Sequence, residues 1–289
     1  MYYIKSRQEI KAEAKLALKE QYGVSVGLVV IPTVFAVALS LGQQLISTIG
    51  VSMGGGSVAA VVLFSLTMFV VSIVASFITT VVGINVFGEF IKISKGERAD
   101  IGTIFTELRF NFWRKLGGSW WMALWMMIWL LPSIVIAAVV LVATGSIAAY
   151  VVILFLTMLP VSMYKSLQYY FVYNILVDLP EVTATQALRV SITMTREYIS
   201  DLFVFILSWF GWFALSILTC GLLYIFYVGP YWYVADASLY LELKNKALTD
   251  GTLTYEELGM ERPREDFGIE NDMLQVPPNN PWQDPWNQN

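Results

Sequence analysis

Hydrophobic positions along the chain gather into six long apolar runs, separated alternately by short neutral turns and long charged connections. The runs fall at about 24–47, 58–87, 119–142, 147–167, 202–219 and 222–243. At 1.5 Å per residue, each is long enough to cross a hydrocarbon layer about 30 Å thick. The last two are joined only by Thr219-Cys220-Gly221 and read as a transmembrane helical hairpin. The pattern predicts an all-α polytopic membrane fold of six transmembrane helices arranged as three hairpins.

Each hairpin is led in by a segment with a different rhythm. Ser6-Arg7-Gln8-Glu9 is a capping-box pattern, in which serine hydroxyl and glutamate satisfy the first free helical N–H groups. Behind it Lys11, Lys15 and Lys19 recur on one face, while Ile10, Ala14, Ala17 and Leu18 gather on the other. Two readings fit: a solvated surface helix, or a helix whose three lysines touch anionic lipid headgroups. A second amphipathic helix is predicted from Thr103 to Leu116, since Ile101, Ile104, Phe105, Leu108 and Phe112 keep helical spacing. A third opens at the capping-box pattern Thr183-Ala184-Thr185-Gln186 and runs through Arg189 and Arg196. The expected organisation is therefore an amphipathic helix over 1–22, a six-helix transmembrane domain over 23–245, and a tail over 246–289. The turn Met53-Gly54-Gly55-Gly56-Ser57 lacks the Lys-Ser/Thr of a phosphate loop.

Composition agrees with the pattern: 57% of the 289 residues are hydrophobic and 14% are charged, too apolar for one soluble core. The net charge of −4 averages unlike parts. From Lys246 onward, nine acidic residues face three basic ones, and the chain closes with the low-complexity PPNNPWQDPWNQN. That ending reads as disorder, or as a docking motif presenting Trp282 and Trp286. All 18 Lys and Arg lie in the N-terminal segment, the two long connections or the C-terminal segment. The connections at 47–57, 143–146 and 219–221 are uncharged. The positive-inside rule then places both termini in the cytoplasm.

Reactive chemistry is sparse. There is no histidine, which removes the commonest general base and metal ligand, and the single cysteine, Cys220, allows no internal disulfide. No catalytic, metal or cofactor residues are assigned, no cofactor is expected, and neither G-x-G-D nor G-x-S-x-G occurs. Trp121, Trp125 and Trp129 form a four-residue stripe that reads as lipid contact or helix packing. The two ionisable residues most nearly inside the bilayer are Lys165, near the end of the fourth run, and Asp236, in the sixth. Matching their depths predicts an intramembrane pair of Lys165 with Asp236, against the rival in which Lys165 snorkels and Asp236 is hydrated.

These residues also carry a resemblance. Ser6-Arg7, Glu9, Lys11, Ala14-Lys15, Leu18-Lys19 and Gly23 are followed by Phe90, Ile93, Gly96-Glu97 and Phe105. Further on stand Lys165, Tyr169, Asp178 and Pro180, then Ala187-Leu188, Ser191 and Met194. Ser208, Gly211-Trp212, Leu218-Thr219, Gly221 and Pro230-Tyr231 close the pattern. Together they resemble the bacterial multi-pass membrane family catalogued as domain of unknown function nine-seven-five. Departures are Tyr22 in place of the family's usual tryptophan and Ala99 in place of a frequent proline. The resemblance implies a six-helix protein of the bacterial plasma membrane and no particular activity.

Three function classes follow. The favoured one is a non-enzymatic membrane interaction protein, acting in assembly, envelope stress or self-protection against a membrane-active peptide, with the lipid bilayer and a membrane protein as partners and no nucleic acid. The alternative is a small-solute transporter or exporter component, because Pro32, Pro132, Pro160 and Pro230 interrupt four runs. An intramembrane enzyme comes last. The orientation is directly testable in a Cys220→Ser background. Cysteine introduced at Gly55 should react with an impermeant thiol reagent added outside cells, and cysteine at Gly96 should not; the reverse labelling would overturn the assignment.

Overall fold

A computed structural model describes residues 5–53 and 58–261. The glycine turn at 54–57 and the Trp-Pro ending lie outside those residues. All regular structure among the described residues is helical. Five helical segments are long and apolar enough to cross a membrane: Tyr22–Gly50, Val58–Ser94, Phe112–Thr144, Ile147–Asp178 and Ile199–Leu218.

The chain enters through α1, Arg7–Glu20, which carries the full capping box: Ser6 Oγ accepts from the Glu9 amide, and Glu9 accepts from the Ser6 amide at 2.6 Å. Helices α2 (Tyr22–Met53) and α3 (Val58–Ser94) pack as one hairpin, and α5 (Phe112–Thr144) and α6 (Ile147–Gln168) as another. At 37 residues α3 is about 55 Å long, so its C-terminal turns extend beyond a hydrocarbon layer. In the α5–α6 hairpin the buried residues of α5 past its first turns are Ser133 and Ala137, small enough for the backbones to approach. Pro32, Pro132 and Pro160 lie inside helices that continue through them.

The stretch after α8, Ala184–Thr195, is less regular. It descends as α9 (Ile199–Leu207) and α10 (Phe210–Leu218), turns where Cys220 and Gly221 take φ of 51° and 83°, and returns through a π-helical stretch, Tyr224–Val228, into α11, Gly229–Thr249. The π register has a local cause and a local remedy. Pro230 has no N–H for the Phe226 carbonyl, and the Tyr22 hydroxyl donates to that carbonyl at 2.5 Å. The run expected to be the sixth span thus differs in kind from the other five, with Asp236, Glu242 and Lys244 buried along it.

Burial is concentrated at one end. The last turns of α3, the first turns of α5, α1, α11, α7 (Val172–Asp178) and α8 (Ala184–Thr195) form the core, around Phe90, Phe171, Ile175, Leu176, Val234 and Tyr240. Helix α8 opens on the expected capping box between Thr183 and Gln186. A Cβ on Gly118 would fall 2.6 Å from Leu176 Cδ1, so only glycine lets α5 come this close to α7. Arg114, on the same turn, donates to the carbonyls of Val182 at 2.8 Å, Leu179 and Leu176, supplying donors where α7 runs out.

The helix expected over 103–116 is broken. A short α4, Thr103–Thr106, gives way to a 3₁₀ turn, Glu107–Arg109, and α5 begins at Phe112 after Asn111 adopts a left-handed conformation with φ 55°. Asparagine tolerates that region, and side chains hold the loop there. Asn85 donates to the Ile104 carbonyl at 2.8 Å, while buried Lys115 donates to Asn85 Oδ1 at 2.6 Å and Glu107 at 3.0 Å. The folded part also runs past residue 245, since Leu253 and Leu258 are buried beyond the end of α11.

Helix α1 docks on α11 through Ile10, Ala14 and Leu18, which parts its three lysines. Lys11 donates to Ser208 Oγ at 2.7 Å and sits 4.5 Å from the Trp209 ring centroid; burial and the charge of Arg7 hold its ammonium below the usual lysine range. Lys15 and Lys19 remain exposed. Lys11→Ala should therefore cost on the order of 2 kcal/mol in detergent unfolding and Lys15→Ala under about 0.5. Equal losses would mean that the Trp209 contact contributes nothing.

Candidate functional site

Buried polar side chains fall in two facing columns. On α11, and on α7 with the turn before it, the same four-residue step recurs: Asp236, Tyr240 and Lys244 on one side, Tyr170, Asn174 and Asp178 on the other. Four-residue spacing keeps each column on a single helix face, so both project into the contact between the helices. Asn174 Nδ2 donates to Asp236 Oδ2 at 3.1 Å, Tyr240 donates to Asp178 Oδ2 at 2.9 Å, and Lys244 donates to the same oxygen at 2.5 Å.

The end of this seam nearest the long connections is satisfied. Asp178, with its side chain 5% exposed, receives Lys244 and Tyr240 on one oxygen and Lys95 on the other at 2.7 Å. Those partners come from α11 and from the turn after α3, so one carboxylate ties three parts of the chain together. Ser94 and Ser238 lie alongside, Ser238 Oγ donating to Ser94 Oγ at 3.3 Å and Ser94 to the Val234 carbonyl at 3.1 Å.

The other end is not. Asp236 is 1% exposed and has no cation partner among the described residues. Its Oδ1, Asn174 Oδ1 and the Tyr170 hydroxyl are all buried without a hydrogen-bond partner. The Tyr170 hydroxyl lies beside the Asp236 carboxylate. Aromatic rings wall this end: Tyr233 stacks on Phe90 at 4.8 Å and meets Phe87 edge-on at 5.2 Å.

The expected pair of Lys165 with Asp236 is not brought together. Lys165, on α6, donates to Gln168 at 2.8 Å and lies 3.7 Å from the Trp129 ring centroid on α5. The physical reason is rotation: α6 turns that face to its hairpin partner α5, while the helix that meets Asp236 is α7. The tryptophan stripe thus includes a cation contact within the α5–α6 hairpin, and Trp121 meets Trp125 edge-on at 6.2 Å. Asn174, Tyr170, Asp178 and Lys244 were not singled out as site residues from the sequence. Their shared four-residue spacing was the signal available.

At the margin of α1, a pocket of about 280 Å³ opens between Ile10, Leu202, Phe205, Leu239 and Leu243, with Arg7 and Asp201 at its mouth. Among the described residues no group of three or more His, Cys, Asp or Glu is placed to hold a metal ion.

Five apolar helices and a buried charged seam define a helical membrane protein. A family model described as "Protein of unknown function (DUF975)" matches residues 1–247, and the chain belongs to that family. No curated protein and no solved structure matches it.

The seam's energetics can be tested through its satisfied end. Asp178→Asn should cost on the order of 3 kcal/mol in detergent unfolding, because it leaves buried Lys244 without its anion, and Lys244→Met should cost less, because Lys95 and Tyr240 still serve Asp178. The double variant should lose clearly less than the sum of the two. Strictly additive losses would show that the pair does not act as a unit.

Proposed function

We propose that the protein is a non-enzymatic integral membrane protein of the bacterial plasma membrane that acts by contact within the bilayer, as an assembly or self-protection factor. The observation that carries this reading is the bareness of its two long hairpins. No residue in 31–50, 58–80 or 147–166 is buried, although α2 packs on α3 and α5 on α6. Those arms present apolar faces on which lipid or another membrane protein packs. On α2, Gln43 Nε2 is a buried donor without a hydrogen-bond partner, the kind of group that joins membrane helices.

In this reading the π-helical stretch and α11 form the sixth crossing, and both termini and the packed core lie on the cytoplasmic side. The distribution of charge supports it, since every described Lys and Arg belongs to the core end except Lys165, which stands in the last turn of α6. Lys15 and Lys19, exposed on α1, are then free to meet anionic headgroups.

A second reading, a component of a small-solute transporter or exporter, is favoured by one observation: the unsatisfied oxygens around Asp236 beside a helix interrupted at Tyr224–Val228.

Purification from native membranes in mild detergent separates the two. The interaction reading expects a stoichiometric protein partner whose recovery falls several-fold when Leu66→Ala and Leu156→Ala trim the two arms. Thermal unfolding should change little, because both side chains lie uncovered. Recovery of the protein alone with a bound small solute would overturn that reading in favour of transport.

A further inference from the structure

We propose that Asp236 is the anionic ligand of a binding site for a small monovalent cation, sodium in the first instance, formed with the Asn174 side-chain oxygen and the Tyr170 hydroxyl. The geometry supplies the donors. Asn174 is fixed by its Nδ2 contact to Asp236 Oδ2, which makes its Oδ1 the remaining free acceptor. With Asp236 Oδ1 and the Tyr170 oxygen, three buried oxygens stand unsatisfied within one stretch of the seam. Such groups are costly to bury without a partner, and a lone carboxylate most of all.

Charge selects the class of ligand. The site holds one carboxylate, and its other donors are neutral oxygens, so one positive charge balances it and a divalent ion would be left in excess. The donors are hard oxygens, which suit alkali and alkaline-earth ions rather than thiophilic metals. The seam's two lysines do not serve this carboxylate, because both are taken by Asp178. Lys244 lies eight residues along α11 from Asp236, about 12 Å at helical rise. A guest ion also fits the setting: the π-helical turn and Pro230 stand about two turns before Asp236 on the same run of helix, and interrupted helices are where membrane proteins bind coupling ions.

This inference goes beyond the interaction reading and does not depend on it. The test uses the full-length protein in mild detergent, titrated with sodium chloride against choline chloride at constant ionic strength, at low and high pH. The expected result is a saturable rise in Tm of about 5 °C in sodium. It should be absent in Asp236→Asn and shifted to several-fold higher sodium in Tyr170→Phe. If Asp236→Asn does not fold, the wild-type titration and Tyr170→Phe decide. Equal Tm in both salts at both pH values would overturn the proposal. So would stabilisation at low pH that is identical in the two salts, which would assign the carboxylate to a proton.

Discussion

The fold depends on how one buried carboxylate is satisfied. Asp178 ends α7, a helix of only two turns that would have little stability of its own, and it collects Lys95, Tyr240 and Lys244 from two other parts of the chain. Arg114 supplies donors to the carbonyls left free at the same helix end. With α7 so held, Leu176 meets Gly118 of α5 and Phe171 meets Tyr240 of α11, which ties these helices into one core. Apolar packing alone would leave these helices free to slide, since lipid competes for the same surfaces. Directional bonds to one charged group set the register.

The same need explains why the chain breaks its helices where it does. A backbone group freed inside or beside a membrane must find a substitute partner, and two carbonyls here show theirs. The carbonyl opposite Pro230 takes the Tyr22 hydroxyl, and the Ile104 carbonyl takes Asn85. The loop between α3 and α5 is anchored again by Gln21, which donates to the Glu97 carbonyl and accepts from the Ala99 amide. These bonds come from residues far apart in sequence, so the core end tolerates turns and 3₁₀ geometry while the arms remain plain helix.

What could be read from the sequence follows the range of the interaction responsible. Local devices were legible: both capping boxes, at Ser6 and Thr183, are formed as their residues suggest. The apolar runs matched five long helices because hydropathy acts residue by residue. The left-handed turn at Asn111 was not legible, and the bond from Lys115 to Asn85 beside it spans thirty positions. Pairing Lys165 with Asp236 failed for a related reason. Depth can be counted along a helix, but rotation about its axis is set by neighbours, and Trp129 rather than α11 lies on the lysine's side. The polar columns of α7 and α11 were half legible, visible as a period of four but attributable to one another only once the helices were placed.

The two carboxylates of the seam share a helix pair and a degree of burial, yet differ in company. A buried ion pair can often be replaced by apolar residues without loss of stability, so Asp178 with its lysines is explained by register more than by energy. Asp236 has no such account. It adds nothing to register that Asn174 and the surrounding aromatics could not supply with a neutral residue, and its uncompensated charge opposes folding. The proposed cation would offset that charge at the Asp236 end of the seam, where Asp236 Oδ1, Asn174 Oδ1 and the Tyr170 hydroxyl lie buried together.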